Sequence, residues 1–197
     1  EVLGSLSGRA ADLDPVSPGI LKDKGIYFYY TRKYDEALEV GIKTMELYPD
    51  FIPVYRLLSL CYQAKGIFDK AIAENHHWGK LTRNKIKTDL ALAQLYASSG
   101  KKAAAKRLIK DIEPEQLGSN DYRAMALVYA ATGDKDQAFE WLDKSFEMHE
   151  ESLCSLMVDP KFDALHADPR FNSLLDKIGL GEYVNQHKTG EMQIPNI

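Results

Sequence analysis

Apolar residues in the stretch Tyr55–Ala71 recur with the period of an α-helix. Leu58 and Tyr62 lie four positions apart, which places them on one face of a helix. Gly66 interrupts this pattern, and a new apolar run begins at Phe68. The stretch therefore predicts two helices that are joined by a tight turn and packed against each other.

The same pattern recurs along the chain at a nearly constant spacing. Each copy has a small residue, an aromatic residue three positions later and an alanine nine positions after that. In chain order the three series are Gly25, Ser59, Ala93 and Ala126; Phe28, Tyr62, Tyr96 and Tyr129; and Ala37, Ala71, Ala105 and Ala138. Successive members of every series are 34, 34 and 33 residues apart. Because small side chains let two helix axes approach closely, the pattern predicts an array of helix pairs.

Over about residues 1–150 the chain resembles the tetratricopeptide-repeat family. The second repeat carries the family's Tyr55, Leu58, Tyr62 and Ala71, although its glycine position holds a serine. The resemblance implies an all-α fold, a right-handed α-solenoid of helix-turn-helix repeats with a helical cap at its C-terminal end. It also implies that the first helices line a concave groove and that the second helices form the convex back.

The repeat register divides the chain into four predicted segments. Residues 1–14 are expected to be the second helix of a truncated repeat, and residues 15–150 to form four full repeats. Residues 151–180 are expected to be capping helices that cover the last apolar face, and residues 181–197 an extended tail. The first residue is Glu1 rather than methionine, so we expect a fragment or processed product of a longer protein.

The C-terminal part has a second, narrower resemblance. The segments that carry it are 139–142 (FEWL), 159–163 (DPKFD), 168–171 (DPRF) and 178–180 (IGL), together with 14–18 (DPVSP) near the start. They resemble the repeat regions of bacterial multidomain regulators, which follow winged-helix, nucleotide cyclase or serine/threonine kinase modules. The resemblance implies a sensory or scaffolding role in a larger bacterial signalling protein.

Composition is that of a globular chain, with 45% apolar and 27% charged residues and a formal net charge of −4. No apolar run reaches the about 18 residues of a membrane span, so no membrane insertion is expected. Cys61 and Cys154 are the two cysteines, and their wide separation gives no disulfide framework. Together these features favour a cytoplasmic location.

Motifs for catalysis or metal binding are incomplete. Gly4-Ser5-Leu6-Ser7-Gly8 has leucine where a nucleophile elbow needs serine. His149-Glu150-Glu151 begins like a zinc-protease helix, but Leu153 stands at the second histidine position. The adjacent His76 and His77 would point about 100° apart on a helix and cannot chelate one ion. The sequence therefore predicts no catalytic residue, no metal site, no cofactor and no enzymatic activity.

Basic residues are concentrated in the band 80–110. This band carries nine lysines and arginines and a single acidic residue, Asp89. It can attract either nucleic acid or an acidic protein segment. Since the aromatic residues that would stack on bases are not interleaved there, an acidic protein segment is favoured and nucleic-acid binding is the alternative.

The first helix of the fourth repeat, beyond this band, is expected to be capped at Ser119-Asn120-Asp121.

Thirteen side chains on the first helices are candidates for lining the groove, because their register points them away from the seam between helices. They are Lys22, Ile26, Tyr29, Tyr30, Arg56, Leu60, Gln63, Lys87, Leu90, Gln94, Asn120, Arg123 and Leu127. Tyrosine and arginine are frequent at binding hot spots, which favours Tyr29, Tyr30, Arg56 and Arg123. The sequence predicts reversible protein–protein interaction through a peptide or protein segment held in this groove.

One binding mode of the family grips the C-terminal carboxylate of a chaperone with lysines and asparagines. Lys22 and Lys87 match that mode, but Ile26 and Leu60 stand where asparagine is needed and Ala91 replaces an arginine. The resemblance therefore implies a different ligand, an extended or helical peptide held by mixed apolar and polar contacts.

Self-association to a homo-oligomer is a third hypothesis. The half repeat predicted at residues 1–14 would leave an open end, which could stack on a second copy of the chain. If the native chain has the missing helix upstream, this contact would be absent.

Overall fold

The computed structural model describes residues 17–181. The α-helices are α1 Pro18–Tyr30, α2 Tyr34–Leu47, α3 Pro53–Ala64, α4 Phe68–Thr82, α5 Lys85–Ser98, α6 Lys102–Ile109, α7 Asp121–Thr132, α8 Lys135–Glu147 and α9 Pro169–Lys177. Short 3-10 segments lie at Pro114–Gln116, Glu151–Ser155 and Pro160–Leu165. The half repeat expected at residues 1–14 lies outside the described residues, as does all of the tail expected at residues 181–197 except Gly181.

The chain divides into two compact units, Glu1–Asp111 and Ile112–Ile197. In the N-terminal unit α1 pairs with α2, α3 with α4 and α5 with α6, and each pair also packs on the next through α2 and α3 or α4 and α5. In the C-terminal unit α7 pairs with α8. Helix pairs thus lie at all the positions that the repeat register gives, and the predicted all-α class is confirmed.

The small residues of the repeat lie where helices approach most closely. A Cβ added to Gly25 would lie 2.4 Å from Cδ2 of Leu57, and its counterparts in the other three repeats are fully buried. One counterpart, Ser59, uses its buried hydroxyl to donate to the carbonyl of Ala71 at 2.9 Å. The repeated alanines are also fully buried. Larger side chains at these positions would force the paired helices apart.

Each first helix is followed by one residue in the left-handed backbone conformation. Three repeats place glycine there, at Gly66, Gly100 and Gly133, with φ of 73°, 84° and 86°. The first repeat places Arg32 there, with φ of 64°. This conformation costs a residue with a Cβ about 1–2 kcal/mol, whereas glycine adopts it without that cost.

Gly66→Ala is therefore expected to lower the free energy of unfolding by about 1 kcal/mol. Urea denaturation followed by circular dichroism measures this change. An added Cβ at Gly66 has no neighbouring heavy atom within 4 Å, so the alanine variant reports backbone conformation rather than a clash. An alanine variant as stable as the parent would contradict this explanation.

Helix α7 begins differently from the sequence expectation. Asn120 lies in the left-handed region with φ of 67°, and its side chain makes no capping hydrogen bond. Instead, the Glu150 carboxylate accepts the backbone N–H groups of Tyr122 at 3.2 Å and Arg123 at 2.9 Å, as well as the Ser145 hydroxyl at 2.5 Å. The cap predicted at Ser119-Asn120-Asp121 thus has the right position, with Asn120 as the N-cap residue, but a buried carboxylate from the far end of the repeat, not the Asn120 side chain, accepts those amide groups.

Helix α9, in the C-terminal cap, follows α8 at the 34-residue spacing of the repeats. Arg170 of α9 donates to Asp136 of α8 at 2.8 Å, and Lys177 of α9 donates to Asp143 of α8 at 2.7 Å. The residues of each pair are 34 positions apart, so α9 lies beside α8 at the repeat spacing. Within residues 151–180, where capping helices are predicted, α9 is α-helical and is preceded by the two 3-10 segments Glu151–Ser155 and Pro160–Leu165.

Candidate interaction surface on the first helices

The candidate site of the N-terminal unit is the surface of its first helices, α1, α3 and α5. Helix α1 packs on α3. At the end of α3, Gln63 donates its side-chain amide to the hydroxyl of Ser98, at the end of α5, over 3.0 Å. Helix α1 therefore lies beside α3, and α3 approaches α5 at their C-terminal ends, which allows side chains from consecutive repeats to contact one ligand.

Eight of the thirteen predicted groove residues keep accessible side-chain surface, and five do not. The half-buried or exposed ones are Lys22, Ile26, Tyr30, Arg56, Gln63, Lys87, Asn120 and Arg123. The buried ones are Tyr29, Leu60, Leu90, Gln94 and Leu127, whose exposed fractions lie between 1% and 9%. Burial leaves these five side chains little surface to offer a ligand. The repeat register predicted that they face the groove, whereas the structure places them in the packing between helices.

Tyr29 illustrates how neighbouring positions differ. Its side chain is 2% exposed, because its ring packs against the rings of Tyr30 and Tyr34, with centroids 5.5 Å and 5.9 Å apart. Tyr30 follows it by one residue and keeps accessible surface. Tyr29 is thus placed to hold the ring of Tyr30 in position, and Tyr30 is the tyrosine that a ligand can reach.

Arg56 is held by an aromatic ring of the same repeat. Its guanidinium carbon lies 5.7 Å from the ring centroid of Trp78, which is half-buried against the core of the N-terminal unit. The neighbouring His76 and His77 are both exposed, and His77 stacks on Tyr55 with centroids 4.2 Å apart. Stacking on Trp78 restricts the rotamers of Arg56, which lowers the entropy that a bound ligand would have to remove.

Arg123 lies in the C-terminal unit and contacts the cap. Its guanidinium forms an ion pair with Asp159, donates to the hydroxyl of Ser155 at 3.2 Å and lies 5.0 Å from the ring centroid of Phe162. The side chain of Arg123 is 12% exposed and that of Asp159 is 2% exposed. These contacts hold the segment Pro160–Leu165 on α7, so Arg123 has a structural task that the sequence prediction missed.

The acid that pairs with Arg123 is ionised despite its burial. Burial raises the pKa of Asp159, but the charges of Lys161 and Arg123 and hydrogen bonds from both residues outweigh that effect. One of these bonds comes from the backbone N–H of Lys161 at 3.1 Å. The pKa of Asp159 therefore lies below its ordinary value, and the ion pair persists at neutral pH.

The accessible part of α1, α3 and α5 is basic and apolar. Lys22, Arg56 and Lys87 contribute one basic side chain from each of three consecutive repeats. Lys22 is ion-paired with the adjacent Asp23 at 2.5 Å, and α3 carries no acidic residue. Ile26 and Tyr30 add half-buried apolar surface on α1. This arrangement suits a segment that presents acidic and apolar side chains together.

The described residues give little support for metal binding, thiol chemistry at Cys61 or a membrane-spanning helix. Residues 17–181 contain no group of three histidine, cysteine or acidic side chains arranged to hold a metal ion. Burial raises the pKa of the Cys61 thiol to about 12, so this cysteine is an inert core residue. None of the helices between residues 17 and 181 has both the length and the apolar character needed to cross a bilayer.

The model of the tetratricopeptide repeat family matches residues 122–153, which contain α7 and α8. One chain of the crystal structure of the APC/C hetero-tetramer Cut9-Hcn1 superimposes on 93% of this chain with a TM-score of 0.59 and 15% identity. The fold is an all-α tetratricopeptide-repeat solenoid. The helix pairs and the constant stride described above are the features that this fold requires.

Sequence comparison adds a bacterial relative with the same kind of repeat. TPR repeat-containing protein YpiA of Bacillus subtilis (strain 168) is 25% identical over 144 residues, which cover 70% of this chain and 34% of YpiA. This chain also covers 36% of the Cut9-Hcn1 chain, so it spans about a third of either protein. A structure of Pseudomonas aeruginosa pilF is 19% identical over 82% of this chain and 71% of its own, with a TM-score of 0.46, too low to support an argument.

Proposed function

We propose that this tetratricopeptide-repeat array reversibly binds a peptide or protein segment on the accessible surface of α1, α3 and α5. The observation that carries the proposal is the set of accessible side chains from three consecutive repeats, Lys22, Ile26, Tyr30, Arg56 and Lys87. Other positions of the same helices are buried in the packing between repeats. A surface of this kind, continuous across repeats, is what solenoid proteins use for binding, and we propose no catalytic step.

The chemistry of this surface favours a segment with acidic and apolar side chains. Positive charges from three repeats would pair with carboxylates, while Ile26 and Tyr30 would pack against apolar groups. We expect no recognition of a chaperone tail, because Ile26, Leu60 and Ala91 cannot supply the hydrogen bonds of that mode. Held side chains such as Arg56 lose little freedom on binding, which supports affinity.

We also propose that the array serves within a larger bacterial regulatory protein in the cytoplasm. The support is the resemblance of the segments between residues 139 and 180 to the repeat regions of such regulators. The match to part of YpiA from a bacterium agrees with this setting.

Charge reversal on the first helices tests the binding proposal. Lys22→Glu/Lys87→Glu changes two lysines of α1 and α5, and the matched control Lys33→Glu/Lys43→Glu changes two exposed lysines around α2 by the same net charge. Immobilised parent and variants are incubated with cell extract, and captured proteins are quantified by mass spectrometry. We expect a protein that the parent and the control both retain and that the first variant retains about tenfold less.

Thermal unfolding of all three proteins shows that the variants are folded. Equal recovery of every captured protein by the parent and Lys22→Glu/Lys87→Glu would contradict binding on the first helices. Equal losses from both double variants would indicate a general charge effect and would also contradict it.

A further inference from the structure

The second helix of the third repeat, α6, is more basic than its counterparts, of which α2 and α8 are acidic and α4 is neutral. Its exposed basic side chains, with those that flank it, are Lys101, Lys102, Lys106, Arg107 and Lys110. We call this set the α6 basic surface. Two residues after the repeated alanine, α6 has Arg107, whereas α2 has Glu39 and α8 has Glu140. The fold therefore accepts an acidic residue at this position, and the positive charge is particular to the third repeat.

The first turn of α6 shows the same reversal. Two residues before the repeated alanine, the other three repeats carry Asp35, Asp69 and Asp136, and the third carries Ala103. An aspartate there stabilises a helix, because the N-terminal end of the helix dipole is positive. In α6 two lysines precede Ala103 instead, where the dipole disfavours them.

The N-terminal part of the α6 basic surface is unfavourable for the helix that carries it. Lys102 lies at the positive end of the helix dipole and four residues before Lys106, and a like-charged pair at that spacing destabilises a helix by about 0.2–0.5 kcal/mol. Lys106 and Arg107 lie in the last turn, where the dipole favours cations, and Lys110 is 3.7 Å from Asp111. Packing of α6 depends on Ala105 and Ile109, which are 0% and 4% exposed. Helix α6 has 8 residues, against 14, 15 and 13 in the other second helices. Departures from local rules without a packing reason are typical of binding sites.

We propose that the α6 basic surface is a second docking site, which binds an acidic segment of a partner protein. A helical segment with carboxylates four residues apart would match the spacing of Lys102, Lys106 and Lys110. The site lies on a second helix, so it is separate from the surface of α1, α3 and α5. The chain would thereby hold two protein segments at once.

One observation favours an acidic peptide over nucleic acid. Tyr96, the repeated aromatic residue of this helix pair, is half-buried and has the ammonium of Lys101 5.8 Å from its ring centroid, so it does not offer a free face to bases.

Fluorescence anisotropy with a short fluorescein-labelled oligoglutamate peptide tests the proposal on the full chain. Ala103→Asp/Arg107→Glu gives α6 the charges of its counterparts, and Lys33→Glu/Lys43→Glu is the control, with a larger change in net charge. We expect the parent and the control to bind alike and the α6 variant to bind at least about tenfold more weakly. The melting temperature checks that the α6 variant is folded. Ala103→Asp suits the positive end of the helix dipole, whereas Arg107→Glu opposes the dipole in the last turn, so a small net shift is expected.

Each other outcome overturns the proposal. Equal peptide affinity of the parent and the α6 variant would show that the α6 basic surface is not the binding site. Labelled duplex DNA that binds more tightly than the peptide, with affinity falling steeply as salt rises, would assign the surface to nucleic acid. Since Lys22→Glu/Lys87→Glu leaves α6 unchanged, it should bind the peptide like the control, so the two proposed sites can fail independently.

Discussion

Replacing Arg123 with alanine is expected to lower the free energy of unfolding of the C-terminal unit by about 3 kcal/mol. The substitution leaves the carboxylate of Asp159 buried without its guanidinium partner, and removing one member of a buried ion pair is strongly destabilising. It also removes the hydrogen bond to Ser155 and the contact with the ring of Phe162. Lys161, 3.5 Å from Asp159, keeps part of the compensation and limits the loss.

Urea denaturation followed by the fluorescence of Trp141, in a Trp78→Phe background, measures this loss in the C-terminal unit. Arg170→Ala is the matched control, because Arg170 is also ion-paired in this unit but is 46% exposed. Exposed ion pairs contribute about 0–1 kcal/mol, so the control should lose much less. Equal losses in the two variants would contradict the structural task assigned to Arg123.

Acid provides a second readout of the same ion pair. The folded-state pKa of Asp159 is lowered, so its stabilising contribution is complete above the ordinary aspartate pKa of about 3.9 and is lost as pH falls through the folded value. The stability difference between the parent and Arg123→Ala should therefore be constant near neutral pH. It should shrink in the acid range, where Asp159 becomes protonated.

Replacing Glu150 with alanine is expected to lower the free energy of unfolding of the same unit by about 3 kcal/mol. The buried carboxylate accepts the N–H groups of Tyr122 and Arg123 at the start of α7 and the hydroxyl of Ser145, and hydrogen bonds to a charged group contribute about 1.5–3 kcal/mol each. Its charge also lies at the positive end of the α7 dipole. Truncation leaves all three donors without this acceptor.

Hydrogen exchange locates the effect of that change. The amides of Tyr122 and Arg123 should exchange faster in Glu150→Ala than in the parent, together with a lower urea midpoint. Glu151→Ala is the matched control, since Glu151 is the adjacent glutamate and is exposed. If Glu150→Ala behaves like Glu151→Ala in both measurements, Glu150 does not cap α7.

The fold could be predicted from local sequence because the repeats are local. The apolar run that begins at Phe68, after the break at Gly66, is observed as the helix Phe68–Thr82. Apolar residues recur with helical period, and each helix packs on its neighbour in the chain. These two features leave few other folds for the sequence.

The candidate site was harder to predict because it depends on the direction of single side chains and on their distant partners, which the helical period of the sequence does not reveal. Tyr29 and Tyr30 are adjacent, and a rotation of about 100° separates the buried ring from the accessible one. Arg123 carries no local sign that its partner is Asp159, 36 residues later. Glu150 looked like part of a failed zinc motif, yet its hydrogen bonds cap a helix that begins 29 positions earlier, at Asp121.

Lysine labelling in the presence of the captured partner tests the central claim most directly. The chain is acetylated at its lysines with and without the partner recovered by the capture experiment, and modification at each lysine is measured by mass spectrometry. Binding on the first helices predicts lower modification of Lys22 and Lys87 in the complex, with Lys33 and Lys43 modified equally in both samples. Unchanged modification of Lys22 and Lys87 in a fully formed complex would contradict the account.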